Sequence, residues 1–83
     1  MTRVRLVFYV IDPFADLRQP LGALISEGGQ VRFLRVPNLT LPYAARANAE
    51  RVLIDLEAAT ALDPLPVGAG AHVVAGPSWV VPA

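Results

Sequence analysis

Hydrophobic side chains occupy both parities between Val4 and Ile11. Arg3, Val4, Arg5 and Leu6 alternate, and the run then turns apolar on either side. Such a run predicts a strand inside a sheet rather than at its edge. Asp12-Pro13 ends it, because Asp can bond its own backbone two residues on and Pro presets a turn-forming φ. A second strand is expected over Leu21 to Ser26, opening at Pro20, where no ladder donor is needed. Gly28-Gly29 supplies positive φ for a tight hairpin. The third strand is expected over Val31 to Val36, with Arg35 breaking the alternation and marking a bulge or the strand's end.

Beyond the connection Pro37 to Leu41, the period lengthens. Ala45, Ala49, Val52, Leu53, Leu56 and Ala59 recur at spacings of three and four. They predict an amphipathic helix from Pro42 to Thr60, with Thr40 as N-cap and Pro42 in the first turn. Arg46–Glu50 and Arg51–Asp55 stand four apart and are expected to pair on its outer face. Asp63-Pro64-Leu65-Pro66 reads as a stiff turn, and Ala71 to Ala75 as a short fourth strand. Gly76-Pro77 reads as another turn, followed by a terminal strand at Trp79 to Val81 that Pro82 closes.

The order is βββα followed by one or two strands. It predicts one small α+β domain over 1–83: a two-layer, three-stranded antiparallel meander under one helix, with the fourth strand beside the first. One helix covers one face of a sheet. The other face is expected to carry strand-one residues, Val7, Tyr9 and Ile11 or their neighbours, and a second copy of the chain is the simplest cover.

Composition sharpens that expectation. The chain has 83 residues, of which 54% are hydrophobic and 17% charged. So short a chain hides only about 60–65% of the surface exposed when unfolded, so part of the apolar surplus is expected at an interface. Net charge is zero, with seven arginines, no lysine and seven acids. A neutral domain lacks the field that draws proteins to phosphate backbones, which disfavours nucleic acid as a partner. The Arg, Ala, Pro and Gly bias is of the kind that a GC-rich bacterial genome produces. No cysteine is present, which excludes disulfides and zinc–thiolate sites and fits a cytoplasmic protein. Arg3 and Arg5 precede an apolar run, but Asp12-Pro13 ends it too early for a signal peptide. Positions 64–83 carry no charged residue, yet four prolines and three glycines there argue against a membrane helix.

Several residues invite a chemical reading. Asp12, Asp16 and Arg18 crowd one connection, but the spacing lacks the dense oxygen ligands of a calcium loop. Turn capping by Asp12 and a solvated pair between Asp16 and Arg18 account for them. His72 is the only histidine, and no motif sets a nucleophile or carboxylate beside it; an interface role is expected. The glycines at 28–29 and 68–70 lack the strand–loop–helix context of a phosphate-binding loop. No catalytic residue, metal ligand or cofactor is therefore assigned. Trp79 is a candidate interface anchor, and the tail around it could add a strand to a neighbouring sheet. The interface candidates are Val7, Tyr9, Ile11, His72, Val74, Trp79 and Val81. Arg3, Arg5, Arg32 and Arg35 form a possible basic patch if they share the face away from the helix, suited to an acidic partner or phosphates.

The expected function is that of a non-enzymatic, homo-oligomeric protein-interaction module. A regulatory protein that neutralises a protein partner is the alternative. "VPNL" followed by "AARANAERVLIDLEA" resembles HicB-type antitoxin domains over less than half of the chain, without the glycine-rich stretch those domains carry between the two. That resemblance implies a protein partner. An enzyme is the third reading, and it needs a site shared between subunits that brings His72 and Asp12 together.

Overall fold

A computed structural model describes residues 1–12, 14–37, 39–62 and 72–82. Its elements are β1 (Thr2–Asp12), β2 (Leu17–Glu27), β3 (Gln30–Arg35), α1 (Tyr43–Glu57) and β4 (Val73–Val81). The chain is α+β: a four-stranded antiparallel sheet of order β3-β2-β1-β4 with one helix against it. The doubly apolar first strand thus sits inside the sheet, as its pattern predicts.

The connection after β1 is shorter than its composition suggests, because β2 begins at Leu17 and pairs it with Asp12. Oδ1 of Asp12 accepts hydrogen bonds from the backbone N–H groups of Phe14 (3.0 Å) and Ala15 (3.3 Å). Asp16 takes φ +52°, a left-handed conformation that Asp tolerates better than most residues. The Arg18 guanidinium donates to Asp16 Oδ1 at 2.8 and 3.0 Å. This segment is a turn, held by the two aspartates. At the next connection Gly28 and Gly29 take φ +60° and +80°, the two positive values a two-residue hairpin between Glu27 and Gln30 requires.

Three register shifts interrupt the sheet: one lies between Val10 and Asp12 at the end of β1, and the other two shape its middle. Val7 pairs with Gly22 but Phe8 pairs with Pro20, so Leu21 is an extra residue in β2, and it is fully buried. On the other side Arg5 pairs with Ser78 and Val7 with Ala75, so Gly76-Pro77 forms a bulge. The expected turn there is absent, and the two short C-terminal strands are one nine-residue strand. Pro77 fits because β4 is an edge strand, where a missing N–H is tolerated at a bulge.

The helix is shorter than its apolar spacing suggests. Its N-cap is Pro42, without a side-chain capping bond, rather than Thr40. Leu41 between them is drawn into the core at 6% exposure. At the other end Ala59 donates to the Leu56 carbonyl at 3.1 Å, a tightened last turn that carries Ala59 and Leu62 into the core. Arg46 does not reach along the helix to Glu50; its Nε donates back to the Leu41 carbonyl and the guanidinium lies over the Tyr43 ring. The core joins Ala49, Val52, Leu53 and Leu56 of α1 to Val7, Tyr9, Leu21 and Leu24 of the sheet. The turn expected at Asp63–Pro66, the Gly68 and Gly70 loop and the start of the fourth strand at Ala71 lie outside the described residues. Among the described residues, no helix is long and apolar enough to cross a membrane.

Candidate functional site

Alternation along each strand divides the sheet into two faces. The face under α1 holds Val7, Tyr9 and Leu24, with Ile11, Phe33 and Val73 packed at its margin. Strand-one residues therefore lie in the opposite phase to the one named from sequence. Val7 and Tyr9 are core residues at 0% and 4% exposure, and Ile11 packs against them; none belongs to the uncovered face. Their neighbours do. Val4, Leu6, Phe8 and Val10 form the β1 row of that face, beside Ala23 and Ile25 of β2. Leu34 pairs with Ala23, and on the other flank Val74, Trp79 and Val81 pair with Phe8, Val4 and Thr2. The candidates Val74, Trp79 and Val81 thus share one surface with residues that the sequence did not single out.

The face is open at both flanks: Leu34 is 48% exposed, Trp79 45% and Val81 42%. At its middle the Phe8 ring lies over Gly76, where a Cβ would collide with the ring edge. Polar groups are confined to its ends. Thr2 donates to Glu27 Oε2 at 3.1 Å at one end, with Gln30 and Arg32 across the hairpin. The Arg18–Asp16 pair stands at the other.

The four arginines do not form one patch. Arg32 pairs with Ile25 on the open face. Arg35 borders a cleft on the helix side with Leu39, Leu41, Arg46 and Glu50. Arg3 and Arg5 point to the helix side as well, at the opposite end of the sheet. There they line a cavity of about 350 Å³ with Ser26, Ser78, Thr60 and the adjoining residues. A spacing of three between Arg32 and Arg35 sends them to opposite faces of a strand, whereas Arg3 and Arg5, two apart, stay together.

His72 immediately precedes β4 and is exposed, with φ +58°. Its carbonyl accepts from Val10 N–H at 2.7 Å, and its ring lies 6.4 Å from that of Tyr9. Tyr9 is held by Asn48, whose Nδ2 donates to the phenol oxygen at 3.0 Å. Asp12 is committed to its own turn. Among the described residues, no three His, Cys, Asp or Glu side chains converge as metal ligands would. No family model matches the chain, and no curated protein or solved structure is significantly similar to it.

Proposed function

We propose that this chain is a non-enzymatic interaction module that works as a homodimer, joined through the open face of its sheet. The observation that carries the reading is the distribution of polarity on β1. Its covered row begins with Arg3 and Arg5, whereas Val4, Leu6, Phe8 and Val10 of the uncovered row are all apolar. A strand solvated on one face shows the reverse, apolar under the helix and polar outside.

The size of the surface suits a second copy. With strands about 4.8 Å apart and about 3.3 Å of rise per residue, strands of eleven, eleven, six and nine residues present roughly 600 Å². Two such faces stacked together bury roughly 1,200 Å², the lower end of stable specific interfaces. The charges suit it too. The rim carries Glu27 and Arg32 at one end and Asp16 and Arg18 at the other, so it is neutral. A two-fold contact sets each residue against its counterpart's neighbours twice, and a face with balanced charges complements itself. A rim of one sign would favour a partner of opposite charge instead.

Sedimentation velocity at tens of micromolar tests this. A dimer is expected, and a monomer overturns the proposal. Trp79→Ala then locates the contact. Close to half of a tryptophan surface, about 110 Å², is open to a partner, worth about 3 kcal/mol per copy by area. Association returns only part of that, so a dimer dissociation constant weakened by at least about tenfold is expected. A dimer indifferent to Trp79→Ala and to Leu6→Asp uses another surface and refutes the assignment of this face.

A further inference from the structure

Strand register sets which residues of two stacked copies meet. Arg32 of β3, Ile25 of β2, Val4 of β1 and Trp79 of β4 form one cross-strand row on the open face, with Arg32 and Trp79 at its two ends. Both are exposed. Leu34, Ala23 and Leu6 form the next row, which reaches β4 at the Gly76-Pro77 bulge. β3 pairs with Gly22–Glu27, the half of β2 beside Thr2–Val7, so the face is four strands wide at that end.

Two stacked sheets related by a two-fold axis keep their strands aligned when the axis runs along the strands or across them. Along the strands, it lays the four-stranded end of one copy on the four-stranded end of the other. Across them, it carries Arg32 and Leu34 of each copy past the Arg35 end of the other β3. The area of β3, about 100 Å² of each face, then loses its cover from an interface already at the lower end of stable size. We infer that the dimer axis runs along the strands, so that Arg32 of each copy stacks on Trp79 of the other. The pairing rests on the open-face dimer proposed above. It sets β3 over β4 and β2 over β1, so Leu6 meets Ala23 and Leu34 meets the Gly76-Pro77 bulge, large side chains against small ones. Stacked sheets cross at about 30°, which shifts their edges by about 4 Å, a distance an arginine side chain spans. An indole face is the best cation–π acceptor, and an arginine at the rim keeps its N–H groups in reach of water.

Cross-linking tests the pairing. The chain has no cysteine, so Arg32→Cys and Trp79→Cys each introduce a single thiol at an exposed site. At a concentration where the mixture sediments as a dimer, a short bismaleimide is expected to join the two variants when mixed and neither variant alone. A covalent dimer from Trp79→Cys mixed with Val74→Cys instead places the axis across the strands and overturns the inference. So does a mixture of Arg32→Cys and Trp79→Cys that sediments as a dimer without cross-linking, and that result leaves the dimer itself standing. A parent chain that sediments as a monomer overturns the dimer and the pairing with it. A second measurement is the dimer dissociation constant of Arg32→Gln. It is expected to weaken about tenfold in the parent, from two pairs per dimer, and to change little in Trp79→Ala. Equal weakening in both backgrounds overturns the pairing.

Discussion

Gly22→Ala tests the pairing of β2 with β3 directly. Gly22 pairs with Val7 on one side and Arg35 on the other, beside the Leu21 bulge. A Cβ there falls on the carbonyl oxygen of Leu34 and 2.7 Å from the Phe33 ring. The ring could swing aside, but the carbonyl belongs to the β3 backbone, so relief requires β2 and β3 to part. Overpacking of this kind costs about 1–3 kcal/mol. Parting the strands also stretches the bond from Val36 N–H to the Leu21 carbonyl, 2.9 Å long, worth about 1 kcal/mol. A total of about 2–4 kcal/mol corresponds to a melting temperature lower by roughly 10–25 °C in a domain of this size. Circular-dichroism melts at one fixed protein concentration measure it, since a dimer makes stability concentration-dependent. Gly28→Ala is the control. Gly28 has positive φ but open space around its Cβ position, so only backbone strain of about 1–2 kcal/mol applies. A Gly22→Ala protein that melts within about 3 °C of the parent would refute both the β2–β3 register and the bulge that sets it.

Two further substitutions probe single contacts. Tyr9→Phe removes the acceptor of the Asn48 hydrogen bond at a 4% exposed site and is expected to cost about 1 kcal/mol in chemical denaturation. Asn48→Ala alone and together with it should show non-additivity if the pair interacts. Asp12→Ala leaves the Phe14 and Ala15 N–H groups without their shared acceptor; a loss of about 1 kcal/mol is expected, and Asp12→Asn, which keeps an oxygen acceptor, should recover most of it. Equal losses in the alanine and asparagine variants would show that the turn does not depend on that oxygen.

The sequence by itself determined the kinds of element and their order. Apolar spacings of three and four located the helical face, and Ala49, Val52, Leu53 and Leu56 are all buried. Gly28-Gly29 located the hairpin, and Asp12 with Asp16 explained the first turn, because these are local constraints on a few dihedrals. Which row of β1 lies beneath the helix was not legible. From Leu6 to Ile11 both parities are apolar, and a period-two signal has no phase where both rows are alike. Packing of α1 over Val7, Leu21 and Leu24 decided it, and so placed Val4, Leu6, Phe8 and Val10 outside. Gly76-Pro77 is a bulge instead of the turn its composition predicts, since the same dipeptide suits both. Pairing with β1 on either side chose the bulge. The hydroxyls that accompany Arg3 and Arg5 come from β2, β4 and the segment after α1, distant in sequence, and only strand register brings them together. Local chemistry therefore settled what each segment is. Long-range pairing settled which way it faces, because that depends on contacts between residues that no short window contains.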